Sequence, residues 1–188
     1  MKLALYGGTF DPIHRAHLTV AAEAADRFEL DQVWFVTAGQ PPHKPAGSTT
    51  PYELRQRMVE IACAADSRFH SPRLEEGSDA SYTMNTVERV RADLAPQDRL
   101  YFLIGADAFA EIGSWYRSHD MLDSVEFIVV SRPGYEYPIP EKARIHRLET
   151  LALPVSSSEI RRALEQGDTP DELPEPVADY ITAHALYR

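Results

Sequence analysis

The 188 residues carry a formal net charge of −10, are 44% hydrophobic and include a single cysteine. That length suits one sizeable core, so one domain spanning residues 1–188 is expected, and the negative charge argues against broad nucleic-acid binding. No run approaches the roughly 20 apolar residues that cross a bilayer. Cys63 has no intrachain partner for a disulfide or a multi-thiolate metal site. The expected setting is therefore reducing and cytoplasmic, with no membrane association; the oligomeric state stays open, a homo-oligomer included.

In chain order, Lys2 to Tyr6 reads as a strand, and Ala16 to Phe28 repeats apolar residues at helical spacing. Gln32 to Thr37 predicts a second strand, Tyr52 to Ala65 and Asn85 to Leu94 two further helices, and Arg99 to Ile104 a nearly continuous apolar strand. Glu126 to Val130 repeats the strand signal, and Arg144 to Leu148 gives a weaker one. Ser157 to Gln166 and Glu175 to Ala185 read as helices opened by serine and proline. Such βα alternation predicts an α/β fold, a Rossmann-like doubly wound parallel sheet with helices on both faces. Ligands then bind beyond the carboxyl ends of the strands, so the loops there should carry function. The Pro/Gly/Ser/Thr-rich stretch from Gly39 to Pro51 is expected to be a mobile loop near the site.

Between the first strand and the first helix lies Gly7-Gly8-Thr9-Phe10-Asp11-Pro12-Ile13-His14-Arg15-Ala16-His17. Glycines there allow close backbone approach to a ligand, and a helix amino end favours anions. Two histidines three apart share a helical face, and each imidazole can donate to phosphoryl oxygens. Singly, each residue also has a plain structural role: a tight glycine turn, a core Phe10, capping histidines. A zinc pair is the other alternative, but Glu23 is the nearest acidic candidate on that helix, and no metal-ligand set stands out.

This segment resembles the adenylyltransferase motif of the nucleotidyltransferase superfamily, in which a glycine-containing strand end leads to His-x-Gly-His. Ala16 stands where that motif has glycine, and its methyl group is expected to crowd the nucleotide. The resemblance runs nearly end to end, most closely with the bacterial nicotinate mononucleotide adenylyltransferase family. It is carried by Pro41-Pro42-His43-Lys44-Pro45, Ser81-Tyr82-Thr83, Gly105-Ala106-Asp107-Ala108-Phe109, Trp115-Tyr116, Ser131-Arg132-Pro133-Gly134-Tyr135, Ser156 to Arg161 and Leu173-Pro174-Glu175-Pro176.

These segments also make chemical sense alone. Ser157 or Ser158 can cap the following helix, and Arg161, on its first turn, can fork onto phosphate oxygens; a serine-capped helix with a surface arginine is the alternative. Asp107 is expected beyond a strand's carboxyl end, where a carboxylate can accept from ribose hydroxyls or cap a helix. Trp115 can stack on a pyridine ring or pack in the core, and backbone amides beside Thr83 can receive a carboxylate. His43 and Lys44 would bring positive charge over the phosphates when their loop closes, and Arg132 is a further phosphate-side candidate.

The resemblance implies that Gly7, Gly8, Thr9, Phe10, His14, His17, Gly105, Asp107, Ser156, Ser157, Ile160 and Arg161 bind ATP. It also implies that His14, His17 and Arg161 act in catalysis, and that Thr83, Trp115, His43, Lys44 and Arg132 hold the acceptor. The implied reaction is adenylyl transfer from ATP to nicotinate mononucleotide, with Mg²⁺ carried by the ATP phosphates rather than by protein carboxylates. Nicotinamide mononucleotide or phosphopantetheine as acceptor, and a non-catalytic nucleotide sensor, are the alternatives.

Overall fold

The structure, a computed structural model, describes residues 1–40, 48–77, 82–151 and 155–188. The expectations for His43, Lys44 and Ser81 lie outside the described residues.

Six strands form one sheet: β1 (Lys2–Gly8), β2 (Gln32–Thr37), β3 (Phe69–His70), β4 (Arg99–Gly105), β5 (Glu126–Ser131) and β6 (Ile145–Glu149). Every pairing is parallel, in the order β3-β2-β1-β4-β5-β6. The winding of the chain across the sheet reverses between β1 and β4, which creates a crevice at their carboxyl ends. The central strands are continuous apolar runs because both of their faces are covered.

Alternate residues of those strands feed two cores. Ala4, Phe35, Leu103 and Ile128 face one layer, made by α1 (Arg15–Phe28), α2 (Tyr52–Cys63), α6 (Ser157–Glu165) and α7 (Glu175–Ala183). Leu5, Val36, Phe102 and Phe127 face the other, made by α3 (Thr83–Asp93), α4 (Ala106–Ala110) and α5 (Ser118–Ser124). The expected doubly wound α/β sheet is present, with helices on both faces. Among the described residues, no helix is long and apolar enough to cross a membrane.

Of these strands and α-helices, three are absent from the sequence expectation: β3, α4 and α5. Two, five and seven residues long, they are too short to display a period. The expected sharing of one helical face by the two histidines is also corrected. His14 is not on the helix with His17; it is the extended N-cap residue, at φ −145°.

Candidate active site

Gly7 and Gly8 do not make a turn: they end β1 as paired strand residues, beside Val36 and Thr37. Gly8 is required for space, since a Cβ there would sit 2.8 Å from Phe10 Cζ and 2.9 Å from Cε1. Phe10 takes the left-handed backbone region at φ +48°, and its ring is buried edge-on to Tyr6 and His17. The chain then enters α1 through His14.

The His17 ring caps the main chain of His14. The His14 N–H donates to His17 Nδ1 at 3.3 Å, and the rings stack with centroids 3.8 Å apart. Because Nδ1 of His17 accepts, its ring proton lies on Nε2, which remains a donor in the neutral form. Burial pushes His14 down to about 4. Burial first, and then the facing His14, hold His17 well below the ordinary imidazole value. His14 Nδ1 is buried and, among the described residues, has no hydrogen-bond partner. A buried polar atom left unpaired costs about 1–3 kcal/mol.

The second phosphate-type segment arrives from the far end of the chain. Ser156, not Ser157 or Ser158, is the N-cap of α6, in a capping box with Glu159. Ser157 is thereby released to donate through Oγ to the Pro12 carbonyl at 2.9 Å. Arg161 lies on the second turn of α6, not the first, and its Nη1 donates to the Asp11 carbonyl at 2.7 Å. Ile160, one residue earlier, is buried. Both segments expected to bind phosphate therefore meet at one loop.

Beside that loop, at the β1/β4 crevice, lies a cavity of about 570 Å³ whose walls include Gly8, Thr9, Thr83, Gly105 and Trp115. Trp115 is partly buried against Phe102, edge-to-face at 6.1 Å, so it both packs and presents surface to the cavity. Thr83 is the first residue of α3. His14, His17, Arg161 and Asp107 are not among the residues of the cavity wall.

Asp107 sits in the first turn of α4, where its carboxylate accepts from the Tyr135 hydroxyl at 2.8 Å. Arg132 is exposed just beyond β5, on the turn that leads to Tyr135, and is not part of the cavity wall. Ala16 is in the first turn of α1, partly exposed. Among the described residues, no group of three or more His, Cys, Asp or Glu side chains could hold a metal ion.

Three residues that organise this region escape sequence reasoning. Arg55 is 1% exposed, and its guanidinium donates to the carbonyls of Thr50, Thr9, Ala38 and Gly39 at 2.6–3.0 Å. Glu75, on the cavity wall, accepts from Thr86 Oγ1 at 2.7 Å and from the Gly39 N–H at 3.4 Å. Asp11, 3% exposed, accepts from the Tyr187 hydroxyl at 2.6 Å and from the Thr50 N–H at 3.2 Å. Arg55 does carry a sequence signal, a charge inside the apolar stripe of α2; Glu75 and Asp11 carry none beyond their type.

The Cytidylyltransferase-like family matches residues 5–163. A probable nicotinate-nucleotide adenylyltransferase of Solibacter usitatus is 54% identical over 187 residues, covering 100% of both chains. A relative of the same description from Thermus thermophilus is 39% identical over 193 residues, again covering 100% of both. Among solved structures, the Plasmodium falciparum nicotinic acid mononucleotide adenylyltransferase complexed with NaAD superimposes with a TM-score of 0.81. It is 24% identical, covering 99% of this chain and 97% of that one, a likeness of fold.

Proposed function

This chain belongs to the nicotinate-nucleotide adenylyltransferase family, and we propose that it transfers the adenylyl group of ATP to nicotinate mononucleotide, giving nicotinate adenine dinucleotide and pyrophosphate. The observation that carries this reading is the meeting of Arg161 and Ser157 with the Asp11–Pro12 carbonyls. It gathers the histidine pair and the start of α6 beside a cavity with Thr83 and Trp115 on its wall.

A phosphate oxygen of the mononucleotide attacks the α-phosphorus; the new P–O bond forms as the bond to the bridging oxygen of pyrophosphate breaks. The nucleophile is already anionic, so neither a base nor a covalent enzyme intermediate is needed. The protein aligns two mutually repelling anions and meets the charge that develops. His17 donates through Nε2 to an α-phosphoryl oxygen, His14 lies stacked against it, and Arg161, anchored through Nη1 on the Asp11 carbonyl, offers its other N–H groups to the leaving phosphates. Asp107 accepts from the adenosine ribose, in place of the Tyr135 hydroxyl. Trp115 stacks on the pyridine ring, and the amide at Thr83 receives its carboxylate. His43, Lys44 and Arg132 add positive charge near the acceptor phosphate.

The donors at this site are imidazole, guanidinium and amide, which suit phosphate oxygens and lack the oxygen ligands that magnesium takes. That fits a magnesium ion bound by ATP phosphates and water, where it supplies countercharge. The substrates are small nucleotides of the cytoplasm, and the net charge of −10 disfavours nucleic acid as a partner.

Pyrophosphate release from ATP, compared across nicotinate mononucleotide, its amide and phosphopantetheine, tests the assignment. Turnover is expected with the acid nucleotide foremost. ATP binding without turnover on any acceptor would overturn the enzymatic reading.

A further inference from the structure

We propose that Tyr187 is a positioning residue for the ATP site, holding the loop that carries Asp11 in the arrangement in which Arg161 and Thr50 meet it. This inference rests on the adenylyl-transfer reading of that site.

After α7 the chain turns back on itself: Leu186 N–H bonds the Ile181 carbonyl at 3.0 Å, and Ala185 and Tyr187 both take the left-handed backbone region, at φ +51° and +58°. Residues with a Cβ adopt that region at a cost, so surrounding contacts must hold them there. For Tyr187 that contact is Asp11, whose Oδ1 accepts from the phenol at 2.6 Å across 176 positions of sequence. Asp11 is 3% exposed, and its other carboxylate oxygen accepts from the Thr50 N–H at 3.2 Å. Its main-chain carbonyl receives Arg161 at 2.7 Å.

One buried carboxylate thus joins three segments: the β1–α1 loop, the entry to α2 and the carboxyl-terminal turn. Through the carbonyl of the same residue, the second turn of α6 is tied in as well. The phenol contributes direction. Without it Oδ1 of the buried Asp11 carboxylate loses this donor, and the loop that carries the Asp11 carbonyl, on which Arg161 rests, loses its tie to the carboxyl-terminal turn. Tyr187 reaches no substrate itself; it acts through Asp11 on the residues that meet the phosphates.

The test compares wild type with Tyr187→Phe, measuring ATP affinity by calorimetry and steady-state constants for both substrates. Loss of one such bond predicts that the ATP Kd and KM rise about three- to tenfold while the KM for the acceptor holds. A purely structural role would instead lower the active fraction, reducing kcat with both KM values and the ATP Kd unchanged, and that pattern overturns the proposal. Should Tyr187→Phe fail to fold, Asp11→Asn weakens the same pair from the other side; an unchanged ATP Kd there also overturns it. The calorimetric comparison needs no turnover, so wild type that binds ATP without forming dinucleotide defeats the functional reading separately.

Discussion

The His17 ring accepts from the His14 main chain at 3.3 Å, and the two imidazoles stack at 3.8 Å. Two neutral rings tolerate that distance, whereas two imidazolium ions would repel strongly. With His14 near 4 and His17 depressed as well, the unfolded chain takes up protons at the ordinary value near 6.5 before the folded chain does. Stability from this pair is therefore complete above about pH 6.5 and is lost as pH falls toward about 4, by up to about 1.4 kcal/mol per pH unit per histidine. The thermal midpoint of the unliganded protein should fall over that window, and His14→Asn should flatten the dependence. A midpoint independent of pH there would contradict the buried, neutral pair.

His17→Ala removes the Nε2 donor and also the ring that accepts from the His14 N–H at the start of α1. Because the contact to the α-phosphoryl oxygen strengthens as charge develops, kcat should fall by about 10²–10³-fold, with a far smaller change in ATP affinity. Turnover equal to wild type would remove His17 from the reaction.

The doubly wound sheet was legible because β1, β2, β4 and β5 are apolar on both faces and the helices between them are periodic. The signal for the α6 cap was also present: three consecutive serines are ambiguous until Glu159 is counted back three places to Ser156. The start of α1 was less legible, since histidine is an unusual N-cap and the pairing of His14 with His17 depends on backbone geometry. Nothing local reveals that Arg55 reaches Thr9, or Tyr187 reaches Asp11. Those contacts span 46 and 176 residues and exist only once the sheet has brought the strand ends together.

Gly8→Ala tests how tightly the strand end is fitted. The added methyl group lies 2.8 Å from a Phe10 ring already enclosed by Tyr6, Phe35 and His17, so the ring must shift among those neighbours. A cost of about 1–3 kcal/mol in stability is expected, together with a loss of turnover. Gly7→Ala is the control, for its nearest foreign atom is a Phe102 ring carbon at an ordinary 3.5 Å. Equal midpoints in the two variants would refute the crowding argument.

Trp115→Ala separates packing from ligand stacking. Aromatic stacking on a base is worth about 1–3 kcal/mol, so the KM for nicotinate mononucleotide should rise about fivefold or more while that for ATP changes little. Loss of the fold, seen as a collapsed thermal midpoint without a selective KM effect, would assign the indole to the Phe102 contact alone.

Arg55→Lys tests the clamp under the site. The planar guanidinium reaches four carbonyls, those of Thr9, Ala38, Gly39 and Thr50; a lysine ammonium offers three donors from a single point and cannot span them. Burial already lowers the arginine's affinity for its proton, and an ammonium here would face the same desolvation with fewer bonds. Unsatisfied buried carbonyls should cost about 2–4 kcal/mol, lowering the thermal midpoint. Since Thr9 and Ala38 border the cavity, both substrates should bind more weakly, in contrast to the selective effects expected at Trp115 and Tyr187. Unchanged stability and affinity would mean that the strand ends hold their positions without the clamp.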